Sequence, residues 1–234
     1  VKLLPLVLLI ALAPWTLCAQ EATPSPATKK AAPKADPAVR AFLKEWAASM
    51  KDVKTLRVRF KQTKKLRILK RPLVRSGETL LKGRHVLMTV LGKDGKPEIE
   101  LLVIPGEARL HYPRLKRLEV FKLGEGRTPP TPFPLFGTDL ETLPQRYRLS
   151  LSQGKDKEKG QRTLVMIPRA KGAPIQETRM VFRGTTIVRI EQKNRRGDRV
   201  IIVVERFERN PKIERSLELK PAPGTQISHP TTGS

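Results

Sequence analysis

The sequence predicts an α+β fold: a large curved antiparallel sheet, an incomplete β-barrel, covered by an N-terminal helix and a short helical insert. Three observations carry this reading. One amphipathic helical stripe opens the domain, about a dozen short runs of strand periodicity follow it, and a proline-dense stretch splits those runs into two groups. Short links between successive runs imply an antiparallel meander. A sheet of that size curls, or leaves a concave apolar face that needs a cover. The first helix and the insert are the available cover. The residues alone leave open whether they seal a solid core or roof a cavity, with the balance towards a solid core.

The helix is read from "DPAVRAFLKEWAASMKDV", where Asp36 is suited to the N-cap and Pro37 to the first turn. Val39, Phe42, Leu43, Trp46, Met50 and Val53 recur at helical spacing and form one apolar stripe. The period then changes to two. In "TLRVRFKQT", Leu56, Val58 and Phe60 alternate with Arg57, Arg59 and Lys61, the pattern of a half-buried strand. "KKLRILK", "ETLLKG", "RHVLMTVL", "PEIELLVI", "ARLHYP" and "RLEVFKL" read as further strands, with "GKDGK" and "PGE" as hairpin turns. Residues 124–147 are too rich in proline for a sheet interior. Within them "GTDLETLPQRY" predicts a short helix capped by Thr138 or Asp139. Strands resume with "YRLSLSQ", "RTLVMIP", "IQETRMVF", "TIVRIEQ" and "RVIIVVERFE", the last two joined at "NRRGDR". The Arg-Gly-Asp in that link reads as turn chemistry rather than an adhesion signal.

The two ends differ in texture from this domain. Residues 1–19, with one Lys, an apolar run from Leu3 to Ala13 and then small residues, read as a signal peptide cleaved after Ala19. Residues 20–36 read as a disordered Ala/Pro/Lys tether, 37–228 as the folded domain and 229–234 as a flexible tail. Cys18, the only cysteine, falls in the leader, and the bulky Leu17 before it argues against lipoprotein processing. The expected mature domain therefore holds no disulfide or thiolate, and its stability rests on its core.

Forty-seven Lys and Arg stand against 22 Asp and Glu, a formal charge of +25. That excess favours a polyanionic partner, an anionic membrane surface or an acidic protein. Aromatic residues make up only 5% of the chain, too few for the stacking platforms of single-strand nucleic-acid binding, so no nucleic acid is expected. His85 and His111 lie on strands close enough in sequence to approach each other, but no further metal ligands accompany them, and His229 lies in the tail. No phosphate loop, Gly-x-Ser-x-Gly or close acid pair is present. No catalysis, cofactor or metal is expected, and the chain is expected to be a monomer.

The order of elements resembles the outer-membrane lipoprotein carrier family, the LolA-like proteins. The resemblance rests on "VKTLRVRFKQT" with Phe60 and Gln62, on "SGETLLKGRHVLMTV" with Gly77, Leu80 and Lys82, and on "LLVIPGEARLHYPRLKRLEVFKL" with Gly106, Leu110, Tyr112 and Pro113. "LVMIPRAKGAPIQETRMVF" and the closing "LELKPAPGTQI" extend it over residues 37–228. The family's lid-holding arginine has Gly83 in its place here, with Arg84 one step on.

The resemblance implies a half-barrel with an apolar pocket for acyl chains, and hence a periplasmic, non-catalytic carrier of lipoprotein or similar lipid cargo towards the outer membrane. Strand alternation and the insert place Phe60, Leu80, Met88, Leu102, Tyr112, Phe133, Phe136, Met180 and Phe182 as its lining. Phe42, Trp46 and Arg84 are the expected lid residues. Met50, Met88, Met166 and Met180 suit an adaptable interior. The alternative is an envelope regulatory or structural protein of the same fold, with a filled core, that docks an acidic protein or an anionic surface.

Overall fold

A computed structural model describes residues 36–122, 140, 142–153, 160–214 and 216–230. Helix α1 (Pro37–Met50) is followed by six strands: β1 (Thr55–Lys65), β2 (Leu73–Lys82), β3 (His85–Leu91), β4 (Pro97–Ile104), β5 (Glu107–Tyr112) and β6 (Arg117–Lys122). A one-turn helix α2 (Leu143–Arg146) leads into five more: β7 (Tyr147–Gln153), β8 (Gln161–Pro168), β9 (Ile175–Arg183), β10 (Thr186–Asn194) and β11 (Arg199–Arg209). A short β12 (Gln226–Ser228) ends the described chain. All twelve strands form one open sheet in the order β12-β6-β5-β4-β3-β2-β1-β11-β10-β9-β8-β7. The expected incomplete barrel is thus two antiparallel meanders, β1–β6 and β7–β11, joined where β1 pairs β11.

Local chemistry sets the first element as the sequence predicts. Asp36 accepts a hydrogen bond from the Ala38 N–H at 2.8 Å, and Pro37 occupies the first helical position, where its missing N–H costs nothing. Val39, Phe42, Leu43 and Trp46 then face the sheet, each at most 5% exposed. Two expectations need correction. "KKLRILK" is not a strand of its own: Lys64 and Lys65 extend β1, and residues 66–72 turn back towards β2, with the Leu69 N–H donating to the Leu66 carbonyl. The short helix begins at Leu143, while Thr138 and Asp139, its expected caps, lie outside the described residues. In the closing stretch, β12 is a strand that pairs with β6 in parallel, which nothing in its composition foretells.

Register assigns each side chain to a face, since paired residues share one. On the inner, helix-covered face lie Leu56, Val58 and Phe60 of β1, continuing through Leu81, Thr79 and Gly77 of β2 to Val86, Met88 and Val90 of β3. In the other meander the inner face carries Ile202, Ile190, Met180 and Leu164 in one row. Beneath α1 these residues form the main core, where Phe42, Phe60, Phe182, Met166 and Met180 are each at most 1% exposed.

Phe60 has a particular requirement. It sits opposite Gly77, and a Cβ at that glycine would lie 2.5 Å from the Phe60 Cζ and 2.7 Å from the Thr89 carbonyl oxygen. The absent side chain is what lets the ring lie across β2. Gly77→Ala is expected to cost about 1–3 kcal/mol by overpacking, lowering the melting temperature by roughly 2–4 °C per kcal/mol. Phe60→Leu in the Gly77→Ala background is expected to restore part of that loss. A Gly77→Ala melt equal to wild type contradicts the packing argument.

Candidate functional site

The two halves of the inner face differ. Beneath α1 the interior is filled: Phe60, Met180 and Phe182 show no accessible surface, whereas a hollow wide enough for water would give its lining some. Phe42 meets Phe182 edge to face, with centroids 4.8 Å apart and rings at 73°. The Arg162 guanidinium lies 4.6 Å from the Phe42 ring centroid and grips Glu45 with two hydrogen bonds of 2.6 and 2.8 Å. Phe42 and Trp46, expected in a lid, are therefore core residues of a helix held at both its apolar and polar sides. Burying Val39, Phe42, Leu43 and Trp46 is worth roughly 1.5–3 kcal/mol each. Their sum approaches the whole stability of an ordinary domain. Lifting α1 as a lid would unfold much of the protein.

The inner face of β3–β6 is different. Leu101, Val103 and Ala108 are buried at its centre, and Val86, Met88, Leu110 and Phe121 around them keep part of their surface accessible. Cross-strand pairs Val86–Val103, Met88–Leu101, Leu101–Leu110 and Ala108–Phe121 place all of them on one face. The small Ala108 stands between Val103 and Phe121 in the row and is fully buried. The patch spans four strands, about 14 Å at the usual strand spacing, and about 13 Å along β5 from Ala108 to Tyr112. Met88 belongs to this patch and also packs against the core beneath α1, so the two are continuous.

One end of the patch is polar. Tyr112 pairs with Arg117 and Leu110 with Glu119, on the same inner face. Glu119 is 5% exposed and is ion-paired with Arg117. Burial, with the Glu119 charge beside it, pushes the Tyr112 hydroxyl above its ordinary range, so Tyr112 remains a neutral hydrogen-bonding group. An aliphatic surface thus ends in a hydroxyl, a guanidinium and a carboxylate.

The expected site residues separate accordingly. Met88 and Tyr112 lie on the accessible patch, while Phe60, Met180 and Phe182 are packed beneath α1. Leu80 and Leu102 are corrected to the opposite face, where they and Leu87 are covered by Ile213 and Leu217 of the segment after β11. Arg84 sits exposed in the tight turn between β2 and β3, beside Gly83 at φ +60°, and not on a strand face above the core. Phe133 and Phe136 lie outside the described residues. Sequence reasoning missed Val86, Leu101, Val103, Leu110 and Phe121. Their strands are legible in the sequence, but the uniformly apolar run "LLVI" fixes no phase, and the expected lining sits one residue off in β2 and β4.

The histidines do not meet. His85 opens β3, whereas His111 is 3% exposed near the end of β5 and sits 2.9 Å from Glu100 through Nδ1. Among the described residues no group of three or more His, Cys, Asp or Glu is placed to hold a metal ion. Nor is any described helix long and apolar enough to cross a membrane.

No known family profile and no curated protein sequence matches the chain. Among solved structures it is similar to an uncharacterized conserved protein from Thermus thermophilus, with a TM-score of 0.50 and 9% identity over 82% of this chain and 99% of that one. A LolA superfamily protein from Nitrosomonas europaea matches at a TM-score of 0.40 and 6% identity, covering 77% and 97% of the two chains. The lipoprotein LppX from Mycobacterium tuberculosis matches at 0.38 and 12%, covering 79% and 100%. The likeness is one of fold.

The clamp on α1 carries a pH dependence. Hydrogen bonding to Arg162 holds the Glu45 carboxyl below its ordinary range, with burial opposing it slightly. A carboxylate depressed in the folded state stabilises fully above its unfolded pKa and loses that contribution as pH falls through the folded one. Glu45→Gln is therefore expected to cost up to about 1 kcal/mol at neutral pH, limited by the exposure of the pair, and progressively less as the pH falls below the ordinary carboxylate range. Arg162→Ala is expected to cost more, because the Phe42 contact goes with it. Thermal melts of both variants from neutral to acid pH check this; a Glu45→Gln deficit that does not change with pH refutes it.

Proposed function

We propose that this chain is a non-catalytic envelope carrier or binding protein that takes an acyl chain, of a lipoprotein or similar lipid, onto the inner face of β3–β6. One contrast supports the reading: large aliphatic and aromatic side chains keep accessible surface there, beside a core whose members have none. The occupant is narrow, because the patch is only about three strand spacings wide, and apolar, because its centre offers no hydrogen-bonding side chain. Tyr112, Arg117 and Glu119 at the patch end suit the polar junction where an acyl chain meets its headgroup. Each methylene withdrawn from water is worth about 0.8 kcal/mol, so ten give roughly 8 kcal/mol, the micromolar range before association costs are deducted. Binding of that order is reversible, as delivery requires.

Periplasmic residence and transfer towards the outer membrane belong to this same reading. They rest on the leader-like residues 1–19 and on the family resemblance drawn from the sequence. With α1 fixed by its own core, loading and release take place at the open half of the inner face and involve no hinge of the helix.

Two measurements test the cargo. Native mass spectrometry of protein purified from cells is expected to show bound lipid. Titration with a fluorescent fatty-acid probe is expected to give binding that Leu110→Ser/Phe121→Ser weakens by tenfold or more, with little change in the melt. Lipid-free protein, together with equal probe binding by the double variant, would sink the carrier reading and favour the filled-core envelope protein.

A further inference from the structure

The antiparallel order puts the links β1–β2, β3–β4, β5–β6, β8–β9 and β10–β11 at one end of the sheet. The other described hairpin links, β2–β3, β4–β5 and β9–β10, lie at the opposite end and are two-residue turns. Charge divides the same way. Residues 66–72, 92–96, 113–116, 169–174 and 195–198 hold eleven Lys and Arg against two Asp. The three short turns, with the α1–β1 link (51–54) at the same end, hold three cations, Lys51, Lys54 and Arg84, against one Asp. Both aspartates are already engaged: Asp94 with Arg114, and Asp198 with the Arg67 N–H at 2.9 Å and the Asn194 side chain.

Apolar exposure is concentrated at this end too. Ile68 is 85% exposed and Leu115 62%, each at the tip of a basic link, and Val74, at the adjoining start of β2, is 42% exposed. Leaving such side chains in water gains the isolated domain nothing. Both tips are built rather than loose: Arg67 donates to the Arg196 carbonyl at 3.3 Å and joins the first link to the β10–β11 turn, while Arg114 ties the second to Asp94. Lys116, at φ +47°, closes the turn that presents Leu115.

We infer that this end of the sheet is a docking surface for an anionic lipid leaflet, with Ile68 and Leu115 entering the interface and the surrounding Lys and Arg lying over the headgroups. Charge complementarity alone would suit any polyanion. The two aliphatic tips favour a leaflet, because a nucleic acid offers them nothing to enter and an acidic protein would need apolar pockets set at their spacing, whereas a bilayer interface offers hydrocarbon everywhere a few ångströms below its phosphates. Tyr112 and Arg117, at the polar end of the inner patch, adjoin the β5–β6 link that carries Leu115. Docking there therefore brings the mouth of the patch to the membrane. The inference stands independently of the cargo reading, since its test varies no residue of that patch.

Co-sedimentation of the full chain with phosphatidylcholine vesicles, with and without phosphatidylglycerol, tests it. Wild type is compared with Ile68→Ser/Leu115→Ser and with Lys70→Gln/Arg71→Gln. All three share residues 1–35, so any contribution from that segment is common to them. Wild type is expected to bind the anionic vesicles only. Each double variant is expected to bind them roughly tenfold more weakly, with an unchanged circular dichroism spectrum and melt. A tryptophan at position 68 (Ile68→Trp) is expected to shift to the blue on binding and to be quenched by brominated lipid. Full-strength binding by Ile68→Ser/Leu115→Ser, or an unquenched tryptophan, would mean that the cations serve a polyanion of another kind and would overturn the proposal. Equal binding to neutral vesicles would overturn it as well.

Discussion

The whole sheet depends on the pairing of β1 with β11. Each meander is assembled from neighbours in sequence, but the two share only this ladder, in which Leu56 to Lys65 pair with Arg199 to Arg209. The partners are about 140 residues apart in sequence, so the ladder closes a long loop and its entropic cost falls on a single contact. Its side chains meet that cost. Val58, Phe60 and Ile202 meet there on the inner face with almost no exposure, and α1, which immediately precedes β1, covers them. A bulge between Arg59 and Phe60 lies at the centre of the ladder, where extra local twist helps the two halves curl towards one another.

From that join the halves diverge in how they use their faces. The β7–β11 half spends its inner face on α1 and becomes ordinary core. The β1–β6 half has its outer face covered instead, by Ile213, Leu217 and Leu219 of the segment after β11, packed against Leu80, Leu87 and Leu102, with the Lys82 ammonium donating to the Ile213 carbonyl. The segment then pairs with β6 as β12. With the back of that half closed by the chain itself, its inner face is the one left accessible. The filled core and the open patch are therefore consequences of one arrangement, and the question of cavity or solid core has a different answer in each half.

This division explains which readings the sequence supported and which it did not. The α1 stripe, the Asp36 cap and the strands of the second meander follow from local rules, and there the outer face is solvated, so burial alternates: Leu164, Met166, Met180 and Phe182 are buried, while the residues between them keep accessible surface. In β4 the run Leu101, Leu102, Val103 is buried at every position, Leu102 under Ile213 and Leu217 on one face and Leu101 and Val103 among their cross-strand neighbours on the other. Alternation then carries no phase, which is why Leu80 and Leu102 were assigned to the wrong face and Leu101 and Leu110 were missed. The covering strap is dispersed in sequence, Ile213 and Leu217 among charged and proline residues, and β12 is three residues long. Neither has a periodic signature, since their place is set by tertiary contact alone.

The distribution of charge completes the picture. On the outer face of the central strands, basic residues are interleaved with acids that answer them: Glu78 lies near Arg57 and Arg59, Glu177 pairs with Arg179, Glu191 with Arg189, and Glu208 with Arg206. Such pairs on a solvated sheet contribute little stability each, but they locally cancel the field of the surface they occupy. A chain of formal charge +25 therefore does not present a uniform basic shell. Its excess is strongest where acids are fewest, in the longer links at one end of the sheet, and that is also where Ile68 and Leu115 protrude. Strand alternation places basic residues on the outer face of any half-buried sheet. It does not make the described hairpin links long and basic at one end and two residues long at the other, and that asymmetry is what gives the described sheet a direction.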